Sequence, residues 1–483
     1  MIGITAFGAY LPRMRLQKKA IADANGWFDA SLRGLGRGEK AVCNWDEDAI
    51  TMAVEAATDC LGEESNRDPD GLIFASTSGP FLDRQHSVVV AEALNLNIDA
   101  IRTADVTASQ RAATSALLFG LDIAAGKSAS EVVVVASEHR RTQVATREEM
   151  LYGDGAAAIQ IGDQNVIAEY IDSQSTADDF VDHYRADGSK YDYGWEERWV
   201  RDEGYLKIVP KAVNALLEKT QVSAAEIKHF ILATDQGRVP GMIGKTLGLN
   251  GEAIADNLLD SVGITGAAHP MLLLAHRLEQ AQPNDLILVV GFGQGCDAVL
   301  FRVTDAIGKN SPRFGVSGHL SRGRREENYN KFQSFNDLLD KGLGKRAEVD
   351  KQSYLTAMYR NRAFTTGFKG GKCSACGTIQ IPMHRYCVNP QCGAGDTQQE
   401  YPMSNAVGHI ATWTADELTF DFNPPAYFGM VVFDGGGRLM MDITEVDPEA
   451  FDTGVQVGVH FRVKQIDSQR GFRKYFWKAI QVQ

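Results

Sequence analysis

Residues 285–303 read DLILVVGFGQGCDAVLFRV. Two apolar runs, each long enough for a strand, are separated only by a glycine-rich turn. Runs of Val, Ile and Leu without polar alternation suit strands buried on both faces, as in a helix-covered sheet. A weaker echo lies upstream, where EVVVVASE at 131–138 leads to GDGAAAIQIG at 153–162. Both places end in a strand, a glycine-rich turn and a further strand, which predicts a duplicated βαβ unit. GLIFAST at 71–77 and HFILATD at 229–235 add strands. DAITMAVEAATDCLG (48–62), QHSVVVAEALNL (85–96), SQRAATSALLFGLDIAAG (109–126) and VPKAVNALLEKTQ (209–221) carry helical spacing. The alternation predicts a layered α/β region, with halves at 1–165 and 166–305.

The 483 residues, 44% hydrophobic and 23% charged, fit about three folded units and exclude wholesale disorder. A net charge of −13 argues against a nucleic-acid binder, which needs a concentrated basic surface. No apolar run reaches the ~20 residues that span a bilayer. Met1 leads directly into the strand-like IGITAFGAYLP, without the n- and h-regions of a secretory signal, so the cytoplasm is the expected location.

The composition changes after 305. Positions 309–370 hold thirteen Lys or Arg against six Asp or Glu. SPRFGVSGHLSRGRREENYN (311–330) reads as a linker, with short helices at KFQSFNDLLDKGL and SYLTAMYRNRA, so 306–370 is expected to be a basic connector. Its charge suits a solvated surface or the phosphates of a coenzyme. The segments GHIATWTAD, YFGMVVFDGGGRLMMDITEV, VQVGVHFRVKQI and FRKYFWKAIQV follow, with a hairpin signal at Asp434–Gly437. They predict a small β-barrel over 399–483.

Seven cysteines are too few, and odd in number, for a disulfide scaffold. Four fall as Cys373-Ser-Ala-Cys376, ten residues, then Cys387-Val-Asn-Pro-Gln-Cys392. Two close pairs across a short strand can close a tetrahedral S₄ site, which zinc favours. The prediction is one structural Zn²⁺ stapling a ribbon over 371–398.

Residues 371–483 resemble the zinc-ribbon plus OB-fold module of the DUF35, acyl-CoA-associated family. The motifs are KCSACGTIQIPMHRYC, NPPAYFGMVVFDGGGRL and DTGVQVGVHFRV, with NYNKFQSFNDLL as the helical lead-in. Residues 1–305 resemble the thiolase superfamily, nearest the hydroxymethylglutaryl-CoA synthase and ketoacyl-synthase III branch, through DVTASQRAATSAL, LYGDGAAAIQIG, ATDQGR and GFGQG. The resemblance implies a five-layered αβαβα fold, a CoA or acyl-CoA ligand and a homodimer. It also implies a nucleophilic cysteine at a buried helix N-terminus.

That nucleophile position here holds Gln110. The family histidine falls at Asp235, the family asparagine at Gly263, and Ser78 with Gly79 stand where the synthase branch has an acid. Losing all four identities removes acyl-cysteine chemistry. Gln110 can still donate a hydrogen bond to a thioester or enolate oxygen, and Asp235 is a candidate general base. Cys296, beside GFGQG, is either a displaced nucleophile or a small buried hydrophobe. Ser109 reads as a helix cap, Cys43 and Cys60 as incidental, and Glu138, His139 and His269 as polar residues near family motifs. The expected function is acyl-CoA carbon–carbon bond formation or cleavage without an acyl-enzyme, within a complex. The alternative is a catalytically silent scaffold for a separate, cysteine-bearing thiolase subunit.

Overall fold

The computed structural model describes residues 1–62, 68–126, 128–309 and 312–482. The chain forms two compact units. The first holds Met1–Asn44, Asp48–Ser87 and Asp99–Leu339; the second holds Trp45–Glu47, Val88–Ile98 and Asp340–Gln483.

The first unit is built on a nine-stranded sheet whose two sides repeat one pattern. On one side Gly3–Tyr10 pairs antiparallel with Gly155–Gly162, which pairs antiparallel with Val132–Glu138; Gly71–Ala75 and Arg102–Val106 then follow in parallel. On the other side Ala168–Ala177, Gly295–Val303, Leu286–Phe292 and Ile227–Leu232 repeat the same senses. A parallel bridge from Phe230 to Ile254 stands for the fifth strand. The duplication read from the two glycine-rich turns is therefore the topology of the sheet.

The helices Ala112–Ala125 and His269–Leu278 pack on each other and on both sides of the repeat, at the centre of the largest apolar cluster. Ala49–Leu61 covers the first half from outside, with an Asp48–Thr51 capping box at its start, and Leu206–Thr220 covers the second. The result is the five-layered α/β thiolase-like arrangement.

The sequence reading did not pick out Arg102–Val106, Ala168–Ala177 or His269–Leu278. The two strands are polar and half-exposed, and the helix is buried nearly all round, so none shows a clean period. The stretch read as a linker is structured in its described part, residues 310 and 311 lying outside the described residues. Gly315–Ser321 is a helix that buries Val316 and His319, and Arg324–Glu326 pairs in parallel with Met14–Gln17.

The second unit has two sheets. A three-stranded one orders Ile379–Gln380, Lys369–Cys373 and Gln398–Pro402. The five-stranded one runs Arg438–Asp442, Ala426–Phe433, Gly408–Asp416, Gln456–Asp467, Phe472–Gln481. A parallel bridge from Ile443 to Ala479 closes it into a barrel. With strands numbered along the chain the circular order is 3-2-1-4-5, the neighbour set of an OB fold. Ile410, Val431, Phe461, Val463 and Trp477 fill the barrel. Its two buried cations are paired within this unit: Lys478 with Asp46 at 2.8 Å, and Arg462 with Glu47 and Glu445.

Candidate active site

The strand Arg102–Val106 ends in a tight turn that places Gln110 two residues before the central helix Ala112–Ala125. Asp297 anchors that turn. Its buried carboxylate accepts from Arg111 at 2.8 Å, Thr114 at 3.0 Å, Ser115 at 2.8 Å and Ser175 at 2.7 Å. Ser109 Oγ donates to the Gly293 carbonyl at 2.9 Å, tying the turn to the GFGQG loop. Gln110 then faces a cavity of ≈ 220 Å³.

Across the cavity lies the hairpin formed by His183–Tyr184 and Tyr193–Gly194. His183 Nε2 is 3.2 Å from Gln110 Nε2, and its Nδ1 is 2.8 Å from Asp182 Oδ2. The amide has hydrogens to give and Asp182 can only accept. The consistent tautomer carries its proton on Nδ1 and presents the Nε2 lone pair to the cavity. Gln110 Nε2 also lies 3.4 Å from Thr77 Oγ1, which donates to Glu138 at 2.9 Å.

Glu138 is fully buried, and burial pushes its carboxyl up despite bonds from Ser78 and from the Thr77 N–H. It brings a carboxylate to the loop where sequence comparison leaves Ser78 and Gly79, but all of its captured donors belong to the protein.

Asp235 also lines the cavity, committed to Arg147 at 2.5 Å; Arg147 reaches Glu197 at 3.2 Å as well. Arg140 is bonded to Asp192 at 2.6 Å and lies 4.0 Å over the Tyr152 ring. Burial pushes the Tyr152 phenol up to about 12, so it stays protonated.

Gly263, aligned with the family asparagine, has φ +81°, and a Cβ there would meet the Leu151 carbonyl at 2.6 Å. The backbone therefore forbids a side chain at that position. Ile264 and Gly266 of that segment line the cavity, and a Cβ on Gly266 would lie 2.7 Å from Arg140 Cδ and 3.2 Å from Gln110 Oε1.

Cys296 is not brought to the cavity. It is fully buried among Leu288, Val290 and Leu300, and burial pushes its thiol far up, so it stays protonated. Cys60 is buried on Ala49–Leu61, and Cys43 is buried with His139 and Asp154.

His269 takes Thr265 N–H and Oγ1 on Nδ1 and donates from Nε2 to the Asn257 carbonyl at 2.9 Å, a structural role. Burial holds it down to about 4 from 6.5. Between those values the unfolded chain binds a proton that the folded one refuses, so its stability contribution is complete above pH 6.5 and lost towards pH 4. Asp59, pushed up to about 6 by burial, acts in the opposite sense over part of that range. The expected result is therefore a difference: on acidification from pH 7 to 4.5, wild type loses about 2 kcal/mol more than His269→Gln, by urea unfolding.

The dyad and both arginines were missed from sequence. His183 lies in ADDFVDHYRADGSKYDYGWEER, with no apolar period, between Ala168–Ala177 and the helix near 197. The one available signal was length, since a long irregular segment in a compact domain often carries function.

In the second unit the four ribbon cysteines converge. Cys373 Sγ is 3.9 Å from Cys392 Sγ, Cys376 Sγ is 3.5 Å from Cys387 Sγ, and all four sulfurs lie within 4.8 Å of one another. That spacing fits four thiolates about 2.3 Å from one tetrahedral ion.

The fold is that of a thiolase-like α/β domain. Residues 217–303 match the family model described as 3-oxoacyl-[acyl-carrier-protein (ACP)] synthase III C terminal. The chain is 31% identical over 317 residues to a hydroxymethylglutaryl-CoA synthase from Aeropyrum pernix, covering 64% of this chain and 87% of the relative. It is 31% identical over 320 residues to the one from Archaeoglobus fulgidus, covering 65% and 92%. Among solved structures, an HMG-CoA synthase complexed with CoA superposes with TM-score 0.62 at 17% identity, over 73% of this chain and 94% of that one. FabH from Pseudomonas aeruginosa PAO1 gives 0.56 at 20%, over 63% and 98%. The chain belongs to the hydroxymethylglutaryl-CoA synthase family. No helix among the described residues is long and apolar enough to cross a membrane.

Proposed function

We propose that the protein makes or breaks a carbon–carbon bond next to an acyl-CoA thioester, by aldol or Claisen-type chemistry without an acyl-enzyme. The observation that carries this is the Asp182–His183 dyad aimed at Gln110, with no thiol among the described residues that line the cavity. His183 Nε2 takes the proton from the carbon beside the thioester, and Asp182 stabilises the imidazolium that results. The Gln110 amide hydrogen now shared with His183 turns to the thioester oxygen, where enolate charge develops. The enolate carbon then adds to a carbonyl, or the same steps run backwards. Asp235, held by Arg147, shapes the cavity and leaves the proton transfer to His183.

Coenzyme binding has support outside the cavity. Trp27 and Phe28 are 82% and 71% exposed on the turn between Lys18–Asn25 and Ala30–Leu35. Both flanking segments pack on Arg147–Leu151, whose Arg147 and Glu148 line the cavity. The exposed indole of Trp27 offers an adenine a stacking face, and Arg33 lies against the neighbouring Gly26.

The half-exposed strand Arg102–Val106 ends the sheet and suits edge-to-edge pairing in a homodimer. The second unit is a DUF35-type module, and its four cysteines hold one structural zinc. The location is cytoplasmic. The absent nucleophile also supports a second reading, in which the chain supports a separate thiolase subunit.

The test is exchange of the α-hydrogens of acetyl-CoA in D₂O, followed by mass spectrometry of both thioester and protein. Exchange with no acyl adduct on any cysteine is the expected result. An adduct on Cys296 overturns the non-covalent mechanism. Absence of exchange, with turnover appearing only beside a co-purified thiolase, establishes the scaffold reading.

A further inference from the structure

The cavity lining is rich in aromatic rings and, in its charges, already satisfied. Tyr152, Trp195, Tyr205 and Phe292 belong to it, with Val200 and Pro270. Phe180 stacks behind them on Trp199 at 4.3 Å, and Tyr205 lies 4.2 Å from Phe292, so the rings brace one another. The two lining cations are neutralised within the protein, Arg140 by Asp192 and Arg147 by Asp235 and Glu197. Glu148, Asp182, Glu197 and Asp235 also line the space, so its four carboxylates exceed its two guanidinium groups.

We propose that the acyl group taken by this cavity is uncharged and apolar at its far end, up to the size of an aromatic ring, and carries no free carboxylate. The proposal rests on the reading of the cavity as an acyl-CoA site. A carboxylate entering here meets a net negative lining and no cation without a partner, and breaking an Arg–carboxylate pair to receive it strands another charge. Volume points the same way. A dry cavity of about 150 Å³ holds benzene; the space here is ≈ 220 Å³. In this it departs from relatives named for a product, hydroxymethylglutaryl-CoA, that carries a carboxylate.

Calorimetry on the full chain with acetyl-CoA, 3-phenylpropanoyl-CoA and glutaryl-CoA tests this, the last two having acyl groups of similar reach and opposite character. The aromatic thioester is expected to bind at least about tenfold tighter than glutaryl-CoA. In Asp235→Asn, and independently in Glu197→Gln, Arg147 loses a carboxylate partner. The preference is expected to shrink or reverse in each. Glutaryl-CoA binding as tightly as 3-phenylpropanoyl-CoA in wild type overturns the specificity while leaving the acyl-CoA site standing. Failure of all three thioesters to bind overturns the site reading and the proposal with it. A preference unmoved in both variants overturns the assigned role of Arg147's partners.

Discussion

His183→Ala is expected to lower α-hydrogen exchange of acetyl-CoA by 10² to 10⁴, roughly the range for removing a positioned general base. The imidazole is held at one end by Asp182 at 2.8 Å and meets the Gln110 amide at 3.2 Å with the other, so its lone pair is directed at the group proposed to hold the thioester oxygen. The variant is also expected to keep thioester affinity while losing exchange, a split that a purely structural histidine would not give. Asp182→Asn is expected to act through the tautomer, lowering the rate while leaving thioester affinity nearly as it was. Gln110→Ala removes one donor to the developing oxyanion, expected to cost roughly 10²–10³ in rate. An exchange rate equal to wild type in His183→Ala, with Gln110→Ala crippled, would place the base elsewhere on the cavity wall.

The largest effect on stability is expected at the four cysteines. Metal analysis of protein purified without chelator should give about one zinc per chain. The ribbon around it offers little apolar core: Cys373, Cys387, Ile379 and Ile381 are buried, but Met383, Tyr386 and Val388 are exposed. A segment of that kind draws its folding free energy from the ion, about 10–16 kcal/mol in apparent terms for isolated zinc-finger peptides. Cys376→Ser, or chelation, is expected to abolish stoichiometric zinc and melt the three-stranded sheet. The α/β unit has its own apolar clusters and is expected to keep its unfolding transition. Retention of full stability with no metal bound would sink the assignment.

The amino-acid sequence by itself determined the layered α/β architecture, its duplication, the β-barrel and the cysteine pairs. Each of these is written in local terms. Continuous apolar runs such as Leu286–Phe292 must be covered on both faces, alternating ones such as Gly408–Asp416 on one, and ligand spacing is a property of a short stretch. The sequence also placed Gln110 at the head of the central helix. Tertiary structure alone decided what surrounds it. His183 and Gln110 are 73 residues apart, and Arg147 and Asp235 are 88 apart. No local period marks residues that meet only when a polar hairpin folds over a cavity. Cys296 shows the same limit from the other side. It is next to a site motif in the chain, but strand alternation turns its side chain into the apolar cluster while Asp297 faces the helix turn it anchors. Which side of a strand a residue serves depends on the layer packed against it, and that was set only by the assembled fold.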